Sequence, residues 1–283
     1  MIKKVTLILL ALCAVLTSCS QDPEKTSQTT TDTAVEDTDV QTQNIPTDSE
    51  TEAATEPETE KPWEVPEVEY LTDISKYEKY IEPEDRDGYL VLVNYANKLD
   101  KDDTPDDLTD VKDTRDDGRA TQQMRLYAAK ALEAFLIEAR AAGCENVSVT
   151  SAYRSYDRQA YLFRVYTENE MLKDPSLTKE EAEAIVHKDT ALPGESEHQT
   201  GLACDMHNLS SAKPEFGDTF EGKWLAENAW KFGFVLRYPE DKTEITNIVY
   251  EAWHFRYVGR YHASQMAHLD MCLEEYTDYL NNN

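Results

Sequence analysis

Between Ser20 and Val65 the chain carries thirteen Asp or Glu against two Lys, a local charge of −11, and almost no large apolar residues. Thr, Glu, Asp, Gln and Pro dominate this stretch. Ordering a backbone costs about 1–2 kcal/mol per residue, and a segment so poor in apolar side chains has nothing to bury that offsets it. Residues 19–65 therefore read as a disordered acidic tether. Random-coil scaling gives it a reach on the order of 40 Å, and like-charge repulsion extends it. Of 283 residues, what remains downstream is enough for roughly one core.

Upstream of the tether, Lys3 and Lys4 precede an apolar run from Val5 to Leu16. At about a dozen residues it fits a signal-peptide core and is too short to span a bilayer. The run ends in Leu16-Thr17-Ser18-Cys19, which resembles the lipobox of bacterial lipoproteins. That likeness implies a signal peptide over 1–18 and a lipid-modified Cys19 as mature N-terminus; a plain secretory signal is the alternative. The expected location is extracytoplasmic, on a bacterial cell membrane, with the lipid anchor as the sole membrane contact. A net charge of −28 argues against nucleic acid as a partner, because a phosphate backbone would be repelled. Only Cys144, Cys204 and Cys272 lie beyond the leader. They allow at most one disulfide, and at least one is expected as a buried free thiol.

The folded part is expected over 66–283, with its core at about 85–280, after an approach segment from Trp63 to Glu84. Tyr89–Val93 reads as a strand and 97–118 as a long Asp-rich loop. Met124 to Ala142 has apolar residues at helical spacing and stops at Gly143, a core helix with Gly in the C′ role. Asn146–Thr150 alternates as a half-buried strand, and Asp157 is a candidate cap for a helix through Met171. Thr178 and Glu181 form a capping box for a second helix from Lys179 to about Lys188. Gly201–Met206 reads as a short strand, Trp224–Phe232 as a helix closed by Gly233, Glu244–Tyr257 as a strand, and Tyr261–Tyr279 as an amphipathic helix. The interleaving predicts an α+β fold with a small antiparallel sheet flanked by helices.

Six His occur, and context separates them. His198 lies where a loop feeds a strand that reaches Asp205 seven residues later. His254 follows Glu251 by three, among aromatics. Buried without partners these groups are costly, so either they pair with one another or a metal holds them. Two neutral imidazoles and a carboxylate make a catalytic zinc set with a fourth position for water, and Glu251 is the second carboxylate that proton removal requires. On spacing alone these are weak signals. His187 is expected to be solvated on a charged helix, and His262 and His268 structural or exposed. His207 is a candidate support group on the face of Asp205. Cys204 should turn away from Asp205, Tyr153 and Trp253 should be pocket walls, and Arg237 and Arg256 could each pair with a carboxylate near the site.

The flanking residues are more specific. Ser-Ala-Tyr-Arg-Ser-Tyr-x-x-Gln from Ser151, Ser-Glu-His-Gln-Thr-Gly-Leu-Ala-x-Asp from Ser196, and Glu-x-Trp-His-Phe-Arg-Tyr-Val-Gly from Glu251 resemble, in order, the signature blocks of the VanY-type D-alanyl-D-alanine carboxypeptidases. The resemblance covers roughly residues 85 to 280 and implies a Hedgehog/DD-peptidase-like zinc peptidase domain. It implies one Zn2+ per chain on His198, Asp205 and His254, with Glu251 as general base. It further implies Arg154 as the residue that binds the substrate carboxylate or the developing oxyanion, with Gln159 and Ser196 lining the same pocket. The implied substrate is the peptidoglycan stem peptide, losing its C-terminal D-alanine. L,D-carboxypeptidases acting on tetrapeptide stems share the fold and ligands, and a wall-binding lipoprotein without catalysis is the alternative outside enzymes. The family usually has Pro where this chain has Ala252. Residues three apart on a regular strand face opposite ways, so Glu251 and His254 can share a site only if the backbone bulges or bends.

Overall fold

The computed structural model describes residues 63–283. The leader, Cys19 and the tether up to residue 62 lie outside the described residues. Eight α-helices are found among the described residues: α1 Glu78–Ile81, α2 Leu126–Ala141, α3 Tyr156–Lys173, α4 Lys179–Val186, α5 Phe220–Asn228, α6 Thr243–Thr246, α7 Arg260–Leu269 and α8 Leu273–Asn282. Strands β1 (Leu108–Asp110) and β2 (Gln123–Arg125) form a two-stranded ladder. Strands β3 (Ser148–Ser151), β4 (Ala203–His207), β5 (Phe234–Leu236) and β6 (His254–Tyr257) form an antiparallel sheet in the order β3-β4-β6-β5. The architecture is the expected α+β, a small antiparallel sheet with helices around it.

Alternation along the two central strands sorts their chemistry. Cys204 and Met206 of β4 and Phe255 and Tyr257 of β6 are fully buried in the main core. Asp205, His207, His254 and Arg256 take the opposite parity, and Asp205 stands directly across from His254 in the register. Cross-strand partners on one face have Cβ atoms about 4.5–5.5 Å apart, so the pairing of β4 with β6 is what brings a carboxylate and an imidazole together. The core side is filled by α2, whose Ala128, Ala131 and Ala134 are wholly buried and let the helix approach closely. Phe135 stacks on Phe232 with centroids 4.9 Å apart and lies edge-on to Phe255 at 6.2 Å.

The helix ends follow local chemistry. Gly143 and Gly233 take φ of +96° and +80°, as expected of residues that end helical segments. Thr178 and Glu181 make the reciprocal capping box. The cap of α3 is Ser155, whose hydroxyl accepts from the Arg158 amide, and not Asp157, which sits in the first turn.

Five expected elements change. Tyr89–Val93 is not a strand, because the Tyr89 and Val91 carbonyls accept from the Arg256 guanidinium (3.0 and 2.7 Å) instead of from a neighbouring strand. The interval 244–257 is not one strand: α6 ends at Asn247 in the left-handed region, φ +58°, and β6 begins only at His254. The C-terminal helix is two, since Asp270 (φ +54°) terminates α7 and the Cys272–Glu275 capping box starts α8. The Asp-rich loop contains β1, which pairs with residues 123–125 at the expected start of α2. Helix α5 begins at Phe220, earlier than Trp224, and passes into a 3-10 turn over Ala229–Phe232.

The approach segment belongs to the core. Ile74, Tyr77 and Ile81 are buried there, upstream of residue 85. Buried Glu138 of α2 accepts from the Thr72 amide and hydroxyl (3.0 and 2.6 Å) and so fastens this segment. Cys144, Cys204 and Cys272 are all buried free thiols, with no disulfide among them.

Candidate active site and metal centre

His198 is presented by a 3-10 turn, Glu197–Thr200, that feeds β4 through Gly201. Gly201 needs its left-handed φ of +68°, and a Cβ there would meet Leu108 Cδ2 at 3.0 Å and Arg125 Cγ at 3.1 Å. The His198 Nδ1 lies 2.7 Å from the Ala152 carbonyl. A carbonyl only accepts, so Nδ1 carries the proton and Nε2, 3.4 Å from Asp205 Oδ2, keeps its lone pair. His254 presents Nδ1, which is 3.1 Å from Asp205 Oδ1 and 3.4 Å from Glu251 Oε2. Donor atoms of His198, Asp205 and His254 all lie within 4.8 Å of one another, and all three residues are buried.

Glu251 and His254 share the site without a bulge. Glu251 precedes β6 in a turn closed by the His254 amide donating to the Glu251 carbonyl at 3.1 Å. The odd spacing that is awkward on a strand is natural across a turn. Ala252, where Pro is usual in the family, is buried at the centre of this turn.

The donor set fits a zinc ion. Asp205 Oδ1 is buried and has no hydrogen-bond partner. Burial opposes charge on His254, yet the Asp205 and Glu197 carboxylates raise its imidazole to about 9, which marks a place short of positive charge. His198 behaves oppositely: burial and the Arg154 charge lower it to about 4, so its imidazole is neutral, the form that can donate to a metal. Burial pushes the Glu251 carboxyl up to about 8. A divalent cation beside it would draw it back toward ionisation, the form a base needs.

Arg154, Gln159, Ser196, His198, Asp205, Glu251 and His254 all line one cleft of about 180 Å³. Arg154 is held by Gln159, whose Oε1 accepts from Nη1 at 2.8 Å while its Nε2 donates to the Ala191 carbonyl. Its Nη2 lies 3.9 Å from Asp205 Oδ2. Gln159 is 1% exposed, so it orients the guanidinium from behind. Trp253 lines the cleft as expected, whereas Tyr153 is outside its lining and reaches Thr104 at 3.4 Å.

The other histidines stand apart from the metal cluster. His187 is not simply solvated: its Nε2 pairs with buried Glu195 at 2.8 Å. His207 shares the face of Asp205 but turns Nδ1 to Arg115 at 3.2 Å. His262 is buried against the Tyr276 hydroxyl, and the His268 ring lies tilted against Trp63. Sequence reasoning missed Tyr238, whose ring centroid is 4.9 Å from that of His254, and the cleft residues Tyr166 and Asp189. They come from separate elements, and no spacing connects them. Glu197 was also missed, although it adjoins His198 inside a motif.

Comparison with known proteins agrees with this geometry. Residues 121–260 match the family model described as VanY, D-alanyl-D-alanine carboxypeptidase. The chain is similar to the putative carboxypeptidase YodJ of Bacillus subtilis (strain 168), 39% identical over 216 residues, covering 74% of each chain. Among solved structures, the LD-carboxypeptidase LdcB superposes with a TM-score of 0.59 at 36% identity, covering 69% of this chain and 88% of that one. The D,D-pentapeptidase VanY from a VanB-type resistance cassette, solved with Zn(II), superposes with a TM-score of 0.56 at 34% identity, covering 67% of this chain and 98% of that one. The family match, the 39% identity to a relative covered over 74% of its length and the buried His-Asp-His cluster have one common explanation: the chain belongs to the VanY family of D-alanyl-D-alanine carboxypeptidases.

Proposed function

We propose that this chain is a zinc-dependent carboxypeptidase that removes the C-terminal D-alanine from peptidoglycan stem peptides. The observation that carries the reading is the buried cluster of His198, Asp205 and His254 with the Glu251 carboxylate 3.4 Å from His254. Zinc on these three residues supplies Lewis acidity, polarising the scissile carbonyl and lowering the pKa of water toward about 7. Glu251 takes the proton of the attacking water and returns it to the leaving amine. Arg154, held by Gln159, takes the negative charge of the terminal carboxylate or of the developing oxyanion. Ser196 closes the wall of the cleft next to the Glu197–Thr200 turn. A tight polar cleft suits a small D-alanyl terminus. No covalent intermediate with the protein is required.

The likeness to LdcB favours a second reading, L,D cleavage of tetrapeptide stems, by the same residues. Incubating the purified protein with synthetic pentapeptide and tetrapeptide stems and measuring free D-alanine separates the two. Release from the pentapeptide supports D,D activity, release from the tetrapeptide alone supports L,D activity, and release from neither refutes both. The short apolar run ahead of Cys19 supports a lipid-anchored, extracytoplasmic enzyme whose acidic tether gives it reach into the wall.

A further inference from the structure

Glu197 stands beside His198 in sequence but serves the other imidazole. Its carboxylate is fully buried. Oε1 accepts two charge-assisted hydrogen bonds, from Arg237 Nε at 2.7 Å and from Arg256 Nη1 at 2.8 Å. Oε2 has no hydrogen-bond partner and lies 3.7 Å from His254 Nε2, itself buried and without a partner. Two orphaned polar atoms thus face each other, and a normal bond of about 2.9 Å needs them to close by about 0.8 Å. Behind Glu197 the arginines are fixed in turn. Arg237 forms a fork with Glu274 of α8 at 2.8 and 2.7 Å, and Arg256 reaches the Tyr89 and Val91 carbonyls. Two guanidiniums and two carboxylates leave this buried cluster neutral.

Were Glu197 only a counter-ion, two guanidiniums offer enough donors to occupy both of its oxygens. Instead both converge on one oxygen and leave the other aimed at His254. His254 Nδ1 faces Asp205 and Glu251, so Nδ1 is the atom that has to offer its lone pair, and the ring proton must sit on Nε2. A fixed negative charge at Nε2 enforces that tautomer and strengthens the ligand. We propose that Glu197 is a positioning residue that holds His254 as the Nε2–H tautomer with Nδ1 turned to zinc, and that Arg237 and Arg256 aim its carboxylate. The inference rests on the reading of His254 as a zinc donor.

The test measures zinc affinity of the full chain by chelator competition, with thermal unfolding of the metal-free protein alongside, for E197Q, E274Q and H254A. Losing such a support weakens metal binding by about 10- to 100-fold, so E197Q should show that loss. E274Q loosens Arg237 but leaves the charge that faces His254 in place; it should lower thermal stability and weaken zinc binding by well under the roughly 10-fold lower bound expected of E197Q. Equal weakening by E197Q and E274Q, or wild-type affinity in E197Q, overturns the proposal. H254A keeps the readings apart: if it retains full zinc affinity, the ligand assignment fails, whereas loss in H254A with none in E197Q sinks only the role of Glu197. Should E197Q not fold, 15N-histidine NMR of the zinc-loaded wild type decides. A protected His254 Nε2–H with metal-bound Nδ1 supports the proposal, and metal-bound Nε2 refutes it.

Discussion

Replacing Glu251 by Gln separates base from ligand. Its Oε2 is 3.4 Å from His254 Nδ1 and its side chain is 12% exposed, so the isosteric amide fits the same place but accepts no proton at neutral pH. The structure leaves little to replace it. Of the other carboxylates that line the cleft, Asp205 belongs to the metal cluster and Glu197 is tied to two arginines; only Asp189 is uncommitted to either. General-base contributions span about 100- to 10,000-fold, or about 2.7–5.5 kcal/mol in the barrier. With Asp189 as the one uncommitted carboxylate of the cleft, E251Q should lose at least the lower bound of that range in kcat. Zinc content, read by metal analysis of the purified variant, should stay near one per chain, because three donors and a water already make a four-coordinate set. The assay is D-alanine release from a synthetic stem peptide. Activity within a few-fold of wild type would show that the base lies elsewhere, with Asp189 next to be examined. Loss of zinc would make Glu251 a ligand and reopen the place of Asp205.

Other perturbations test other links. H198A removes one of three donors and should lose both zinc and turnover; full metal occupancy would mean that the ligand set is wrong. F135A deletes a fully buried ring packed between α2 and the sheet, at centroid distances of 4.9 Å from Phe232 and 5.9 Å from Phe234. It should cost about 3–5 kcal/mol in chemical denaturation, and a loss under 1 kcal/mol would mean that this contact does not organise the core. C19A should shift the protein from the membrane fraction to the medium, and unchanged partitioning in a detergent phase assay would exclude a Cys19 anchor.

Much was legible in the sequence because it is written locally. The Thr178–Glu181 capping box, the glycines at 143 and 233 and the inward turn of Cys204 each depend on a few neighbouring residues. The three blocks place all seven site residues, and all seven line one cleft. What the sequence misjudged depended on distant partners. Tyr89–Val93 has strand-like residues, yet its carbonyls are claimed by Arg256, more than 160 positions away. The interval 244–257 is rich in strand formers, yet only its last four positions, β6, find partners, in Phe234–Leu236 on one side and Ala203–Asp205 on the other.

Sequence alone thus determined which side chains line the cleft and which of them could offer donor atoms to a metal, because donor identity is a property of the side chain. Tertiary structure alone decided how they are held. The β4–β6 register sets Asp205 opposite His254, the turn before β6 brings Glu251 to the same side, and Arg237 and Arg256 converge on one oxygen of Glu197. The physical reason is that register and buried charge pairing are long-range: each joins residues whose proximity exists only once the chain has folded, so no local pattern records it.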